Sequence, residues 1–242
     1  MPVKLSVIIP IYNAESFIDD TLLKLTKWEE ILDYNVEVLL VNDGSTDETK
    51  IIIENYVNKN SFLKLITYST NQGKGYAVKR GMLEAVGDFR IFTDADIPYG
   101  LTIFNKILYY LDFKEFDICI GNRKSADSQF VIKTHFLRKI SSKLFTTLIS
   151  RYVVTGVADT QCGLKGFRGD IAKKIFCKLH VKGFAFDVEI LYLSYKYELD
   201  IKRIPVKFQG NNISTINLFN ASINMLLDVL YLPIRYHLLK KY

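Results

Sequence analysis

From residue 5 to about residue 121 the chain repeats one pattern. Short apolar runs rich in β-branched residues, at 5–10, 36–42, 63–68, 89–93 and 116–121, alternate with stretches of helical periodicity. That alternation predicts βαβ units, because a strand covered on both faces reads as a continuous apolar run and reaches its parallel neighbour through a crossover helix. In an open parallel sheet the ligand crevice lies beyond the carboxyl ends of the strands. Three of the runs end there in polar or Gly-rich turns: Tyr12-Asn13, Asn42-Asp43-Gly44-Ser45 and Thr93-Asp94-Ala95-Asp96. The candidate functional residues therefore converge on one edge of the sheet.

The second half is less regular. It offers a basic amphipathic segment at 130–153, a turn-rich stretch at 156–170, a helix at 185–198, a strand at 201–208 and an apolar C-terminal segment. With 242 residues, 49% hydrophobic and 24% charged, the chain suits a single α/β domain and is neither disordered nor a polytopic membrane protein. A formal net charge of +6 favours anionic partners, although no nucleic-acid recognition module is visible. Cys119, Cys162 and Cys177 form no C-x-x-C pair, which argues against a disulfide framework and fits a reducing cytosol. His135, His180 and His237 are scattered without ligand spacing. Val7 to Ile11 is short and broken by Pro10, so no signal peptide is expected.

Three motifs carry chemistry. Asp94-x-Asp96 sets two carboxylates at a strand end, where they can hold a hard divalent cation; alone, such a pair is more often two solvated acids in a turn. Asn71-Gln72-Gly73-Lys74-Gly75 leads into a helical pattern from Tyr76 to Val86. Its glycines, its lysine and the helix N-terminus suit a diphosphate or ribose, and a capped helix start is the plainer reading. In Asp43-Gly44-Ser45-Thr46-Asp47, Ser45 or Thr46 is expected to cap the next helix. Asp43 faces the crevice, able to accept from a base N–H or a ribose hydroxyl.

Taken together, Val7 to Glu15 (VIIPIYNAE), V-N-D-G-S-T-D at 41–47, N-Q-G-K-G at 71–75, T-D-A-D at 93–96 and G-N-R at 121–123 resemble the large inverting GT-A family of glycosyltransferases. Asp159 to Phe167 (DTQCGLKGF), Leu179-His180-Val181 and Ala185 to Leu191 (AFDVEIL) are similar to its dolichyl-phosphate β-glucosyltransferase branch. The resemblance implies a GT-A nucleotide-binding fold with a mostly parallel central sheet, flanking helices and C-terminal amphipathic helices. It divides the single domain into a nucleotide-sugar half at about 1–122, an acceptor half at about 123–210 and an amphipathic segment at about 211–242. It places Pro10, Tyr12, Asn13, Glu15 and Asp43 around the nucleoside, with Ala95 beside the donor and Lys74 and Gly75 near ribose and diphosphate. Asp94 and Asp96 fall at Mg2+ or Mn2+, and Arg123, Asp159 and Gln161 near sugar and acceptor phosphate. Two departures stand out: Ile97-Pro98 replaces the Leu-Gln of many mannose synthases, and no N-terminal membrane anchor like that of the eukaryotic glucosyltransferases is expected.

The implied reaction is transfer of a hexose, glucose from UDP-glucose first, to a polyprenyl phosphate. The alternatives are a GDP-mannose donor and a sugar-hydroxyl acceptor. From other classes come a sugar-nucleotide pyrophosphorylase, whose Gly- and Arg-rich N-terminal loop is not visible here, and a non-catalytic nucleotide-binding module, which intact Asp94 and Asp96 argue against. The amphipathic segments, with Leu137, Ile140, Leu144 and Leu148 on one face of the first, predict attachment to the cytoplasmic face of a membrane without spanning it. Packing of those helices on the domain or on a second subunit is the other reading, which leaves a homo-oligomer open.

Overall fold

The structure is a computed structural model that describes residues 2–123, 162–209, 227–229 and 231–236. Along the chain run β1 (Leu5–Ile11), α1 (Ile18–Glu29), β2 (Val36–Asp43), α2 (Thr49–Val57), β3 (Leu63–Tyr68), α3 (Lys74–Glu84) and β4 (Phe89–Phe92). Then come α4 (Ile103–Leu108), which continues into a π-helical turn at Tyr109–Phe113, and β5 (Ile118–Asn122). The last elements are β6 (Lys165–Arg168), α5 (Gly169–Phe176), α6 (Phe186–Lys196) and β7 (Ile201–Pro205).

The strands form a seven-stranded sheet in the order β3-β2-β1-β4-β6-β5-β7. All neighbouring pairs are parallel except those of β6, which runs antiparallel to β4 and β5. After β1 the chain builds outward through β2 and β3, then returns to the opposite side of β1 with β4. Such a reversal splays the loops on its two sides and opens a crevice at the carboxyl ends of β1 and β4.

Both faces of the central strands are covered, which is why β1, β2 and β5 read as near-continuous apolar runs, whereas β3 at the sheet edge keeps Lys64 and Thr67 exposed. From β1, Leu5, Val7, Ile9 and Ile11 enter one core with Leu22 and Leu25 of α1 and Phe104 of α4. Ile8 enters the other, with Leu39, Val41, Phe92 and residues of α3, α5 and α6. Each such side chain contributes about 1.5–3 kcal/mol by leaving water. These cores hold the strand ends, and hence the crevice, in fixed register.

The turn-rich stretch expected at 156–170 ends in a strand, β6. Its four residues, Lys-Gly-Phe-Arg, carry neither alternation nor β-branching, so nothing local announces it. The expected strand at 201–208 stops at Pro205. The amphipathic segment at 130–153 lies outside the described residues. Of the C-terminal segment, 227–229 and 231–236 are helical. There Val229 and Leu232 are buried against the α6 side of the core, while Leu227, Tyr231 and Ile234 are exposed. Among the described residues no helix is long and apolar enough to cross a membrane.

Candidate active site

The strand ends deliver the expected residues to one edge. Tyr12 and Asn13 follow β1, Asp43 ends β2, Asp94 to Asp96 follow β4 and Arg123 follows β5. Because β6 is antiparallel, the Cys162–Leu164 turn that enters it lies at the same edge. Asp159 and Gln161 lie outside the described residues.

Most of the residues expected around the nucleoside tie loops together. Asn13 sits at φ 47°, a left-handed conformation that asparagine tolerates. Its N–H donates to Ser45 Oγ at 2.9 Å, and its Oδ1 accepts from Thr46 N at 2.9 Å. Glu15 Oε2 accepts from Glu48 N at 2.9 Å, and Thr49 Oγ1 accepts from Ala14 N at 2.7 Å. These bonds stitch the turn after β1 to the turn after β2. Ser45 and Thr46 therefore do not cap α2, contrary to expectation; that helix starts only at Thr49, and the amide of the preceding Glu48 is satisfied by Glu15. Pro10 is half-buried within β1, opposite Val41. Tyr12 is 47% exposed, which leaves aromatic surface on which a nucleobase can stack.

Asp43 is buried and takes hold of the next loop: Oδ1 accepts from Gln72 N at 2.8 Å and Oδ2 from Gly73 N at 2.9 Å. The helix that follows begins at Lys74, two residues before the expected Tyr76, and Tyr76 N donates to Lys182 O at 3.2 Å. Protein acceptors thus occupy several amides of a helix start expected to greet a diphosphate. The glycines have the same explanation. A Cβ on Gly73, at φ 99°, would stand 2.6 Å from Lys182 O, and one on Gly75 2.6 Å from Val181 O. Their bare backbones make room for the 181–183 segment rather than for a ligand.

The charged centre is Lys74, Asp94 and Asp96. Lys74 Nζ is ion-paired with Asp94 Oδ1. Burial alone would lower the lysine's pKa, but the charges of Asp94 and Asp187 outweigh it and the net shift is upward, so Lys74 stays a cation. Burial, then the neighbouring Asp94 charge, hold the Asp96 carboxyl above the usual range. Asp94 rests on the bare backbone of Gly163, where a Cβ would overlap Oδ2. Ala95 presents its carbonyl to Thr21 Oγ1 at 2.9 Å. Ile97 closes the turn at φ 45°, a strained setting for a β-branched residue.

Among the described residues no three His, Cys, Asp or Glu side chains gather as a metal cluster. Two all-oxygen carboxylates nevertheless fit Mg2+ or Mn2+, which keep bound waters and usually take one or two carboxylates together with substrate phosphates. Two like charges forced together, one of them with its carboxyl pKa raised by burial and by its neighbour, are also what a cation relieves. Arg123 stands nearby: its charge reaches Tyr99, whose hydroxyl is pushed up by burial first and then by Cys162. Sequence reasoning passes over Lys165, Asp187 and Glu189, all buried behind this centre.

Residues 6–176 match the family model "Glycosyl transferase family 2". The dolichyl-phosphate beta-glucosyltransferase of Dictyostelium discoideum is 35% identical over 96% of this chain and 74% of its own length. That of Drosophila melanogaster is 32% identical over 96% of this chain and 75% of its own. Glucosyl-3-phosphoglycerate synthase from Mycobacterium tuberculosis, solved with Mn2+, UDP-glucose and phosphoglyceric acid, superposes with a TM-score of 0.69 at 16% identity, covering 95% of this chain and 79% of that one. At that identity the likeness speaks for the fold alone, which is the GT-A fold. A family match over most of the chain, relatives above 30% identity along nearly all of it, and motifs gathered at one sheet edge lead to one conclusion: this chain belongs to glycosyl transferase family 2.

Proposed function

We propose that this glycosyltransferase moves glucose from UDP-glucose to dolichyl phosphate or another polyprenyl phosphate, with inversion, at the cytoplasmic face of a membrane. The observation that carries the reading is the match, along 96% of the chain, to relatives whose names state that lipid acceptor and that sugar. Complexes of the Mycobacterium tuberculosis synthase with UDP and Mn2+ or Mg2+ show that the same fold accommodates a nucleotide and ion of this kind.

Each side chain then has a task. Tyr12 stacks on the base, with Pro10, Asn13, Glu15 and Asp43 shaping the pocket around it. Asp94 and Asp96 hold Mg2+ or Mn2+, and Lys74 adds a second positive charge beside the diphosphate. When bound, the divalent ion supplies Lewis-acid stabilisation of the charge that gathers on the departing UDP. Arg123 matches acceptor phosphate oxygens with its planar fork, and Asp159 and Gln161 orient the sugar. An oxygen of the acceptor phosphate attacks the anomeric carbon, and the bond from that carbon to the diphosphate breaks with its electron pair leaving on UDP. The attacking oxygen is already anionic near neutral pH, so no side chain need remove a proton.

A membrane surface suits the C-terminal segment. Leu227, Tyr231 and Ile234 recur at helical spacing and are 61%, 40% and 42% exposed, opposite the buried Val229 and Leu232. An apolar stripe of that kind inserts into the headgroup boundary. The test is UDP release from UDP-glucose in liposomes carrying dolichyl phosphate, with and without EDTA. Lipid-dependent, EDTA-sensitive release is expected. Consumption of GDP-mannose with every UDP-sugar inert, or transfer to a sugar hydroxyl and none to lipid, would refute the reading.

A further inference from the structure

Behind the crevice lies a buried ion pair that the proposed chemistry does not use. Asp187 of α6 is 4% exposed and Lys165, the first residue of β6, is 0% exposed. Their Oδ1 and Nζ are 2.5 Å apart. The same ammonium donates to Cys162 O at 2.9 Å and lies 5.4 Å from the centroid of the Phe92 ring. Lys165 therefore reaches back and grips the turn that leads into its own strand. That turn is the one on which Asp94 rests, with Gly163 so close beneath the carboxylate that even a methyl group has no room. A chain of contacts runs from Asp187 through Lys165 and the Cys162 carbonyl to Gly163 and Asp94.

Stability alone explains such a pair poorly, since desolvating two charges commonly cancels their attraction and apolar replacements of similar volume often do as well. We propose that Asp187 and Lys165 are positioning residues: the buried pair locks the Cys162–Leu164 turn beneath Asp94 and so fixes how that carboxylate meets the divalent ion and the diphosphate. The inference rests on the metal reading of Asp94 above. Neither side chain touches substrate; both act through the backbone of the turn. Asp187 also contributes, after Asp94, to the negative field at Lys74.

The experiment compares wild type with two charge-free pairs, Lys165→Met/Asp187→Leu and Lys165→Met/Asp187→Asn. Three quantities are read: the melting temperature without ligand, the Mn2+ concentration that half-saturates UDP binding, and turnover on UDP-glucose. The expected result is that at least one pair melts near wild type, yet needs about tenfold more Mn2+ and turns over roughly 10- to 100-fold more slowly, the usual size of an outer-shell effect on a metal site. A pair with recovered melting, wild-type Mn2+ dependence and wild-type turnover would overturn the proposal, because the ion pair would then be structural only. If neither pair folds, the role is global rather than local and the proposal also falls. Wild-type protein whose UDP binding ignores Mn2+ would instead refute the metal reading, and that result precedes any variant.

Discussion

Replacing Asp43 with Asn separates two jobs that one carboxylate could hold. In the ligand-free protein both of its oxygens accept backbone N–H groups, from Gln72 at 2.8 Å and Gly73 at 2.9 Å, and the side chain is 3% exposed. Asn keeps the shape but retains one oxygen, so one of the two amides faces an NH2 group and is left without an acceptor. A buried donor left unmet costs about 1–3 kcal/mol. Losing the anion near the N-terminus of α3 adds about 0.3–1 kcal/mol, up to ~2 where partly buried. The sum, about 1.3–4 kcal/mol and up to ~5 where the anion is partly buried, corresponds to a fall in melting temperature on the order of 3–20 °C for a chain of this size. Thermal unfolding without nucleotide measures it. If Asp43 served only the nucleoside, Asp43→Asn would melt within a degree of wild type and lose UDP affinity alone; that outcome would refute the loop-anchor argument.

The charges of three carboxylates, Asp94, Asp96 and Glu37, carry the further predictions. Asp94→Asn and Asp96→Asn are each expected to lower turnover at least 100-fold with the fold intact. For Asp96 the folded pKa lies above the unfolded one, so its ionised form burdens the fold at every pH above that range. Asp96→Asn should accordingly melt no lower than wild type at neutral pH, and a clear drop in melting temperature there would count against the assignment. Glu37 is the opposite case. Burial pushes its carboxyl up, but Lys64, Ser6 Oγ and Val86 N together outweigh burial, and the net shift is downward. Its stabilising contribution is therefore present at neutral pH and is lost as pH falls through the lowered folded pKa. Glu37→Gln should melt below wild type at pH 7, by the equivalent of about 1–3 kcal/mol, and the gap should close in acid. An equal gap at both ends of the titration would contradict the sign.

What the sequence conceals and what it discloses divide along physical lines. The strands β1, β2 and β5 are legible because they are buried on both faces and so read as near-continuous apolar runs, β3 at the sheet edge is legible from Leu63, Leu65 and Ile66 although Lys64 and Thr67 are exposed, and the crevice is legible because parallel strands discharge their polar turns at one edge. Asp43 falls at the edge where its strand puts it, but its partners are illegible, since Gln72 and Gly73 lie about thirty residues on and no local pattern encodes that meeting. For the same reason Ser45 and Thr46 read as helix caps although their partner is Asn13, on another turn. The buried charges behind the crevice are different, for a signal is present. From Phe186 to Ser194 every residue of α6 is buried, and the run reads Phe-Asp-Val-Glu-Ile-Leu-Tyr-Leu-Ser, apolar on all sides save for two acids at i and i+2. Positions two apart on a helix point in different directions, so no single solvent-facing stripe can serve both. A helix apolar all round is buried, and acids in it must be paired or hydrogen-bonded. On the residue pattern alone, one acid therefore requires a cation, and the other requires backbone donors or a second cation. Lys165 answers the first need and the amides of His180 and Val181 the second. Each answer braces a different wall of the site: Lys165 the turn under Asp94, and the 180–183 segment the glycines at the start of α3.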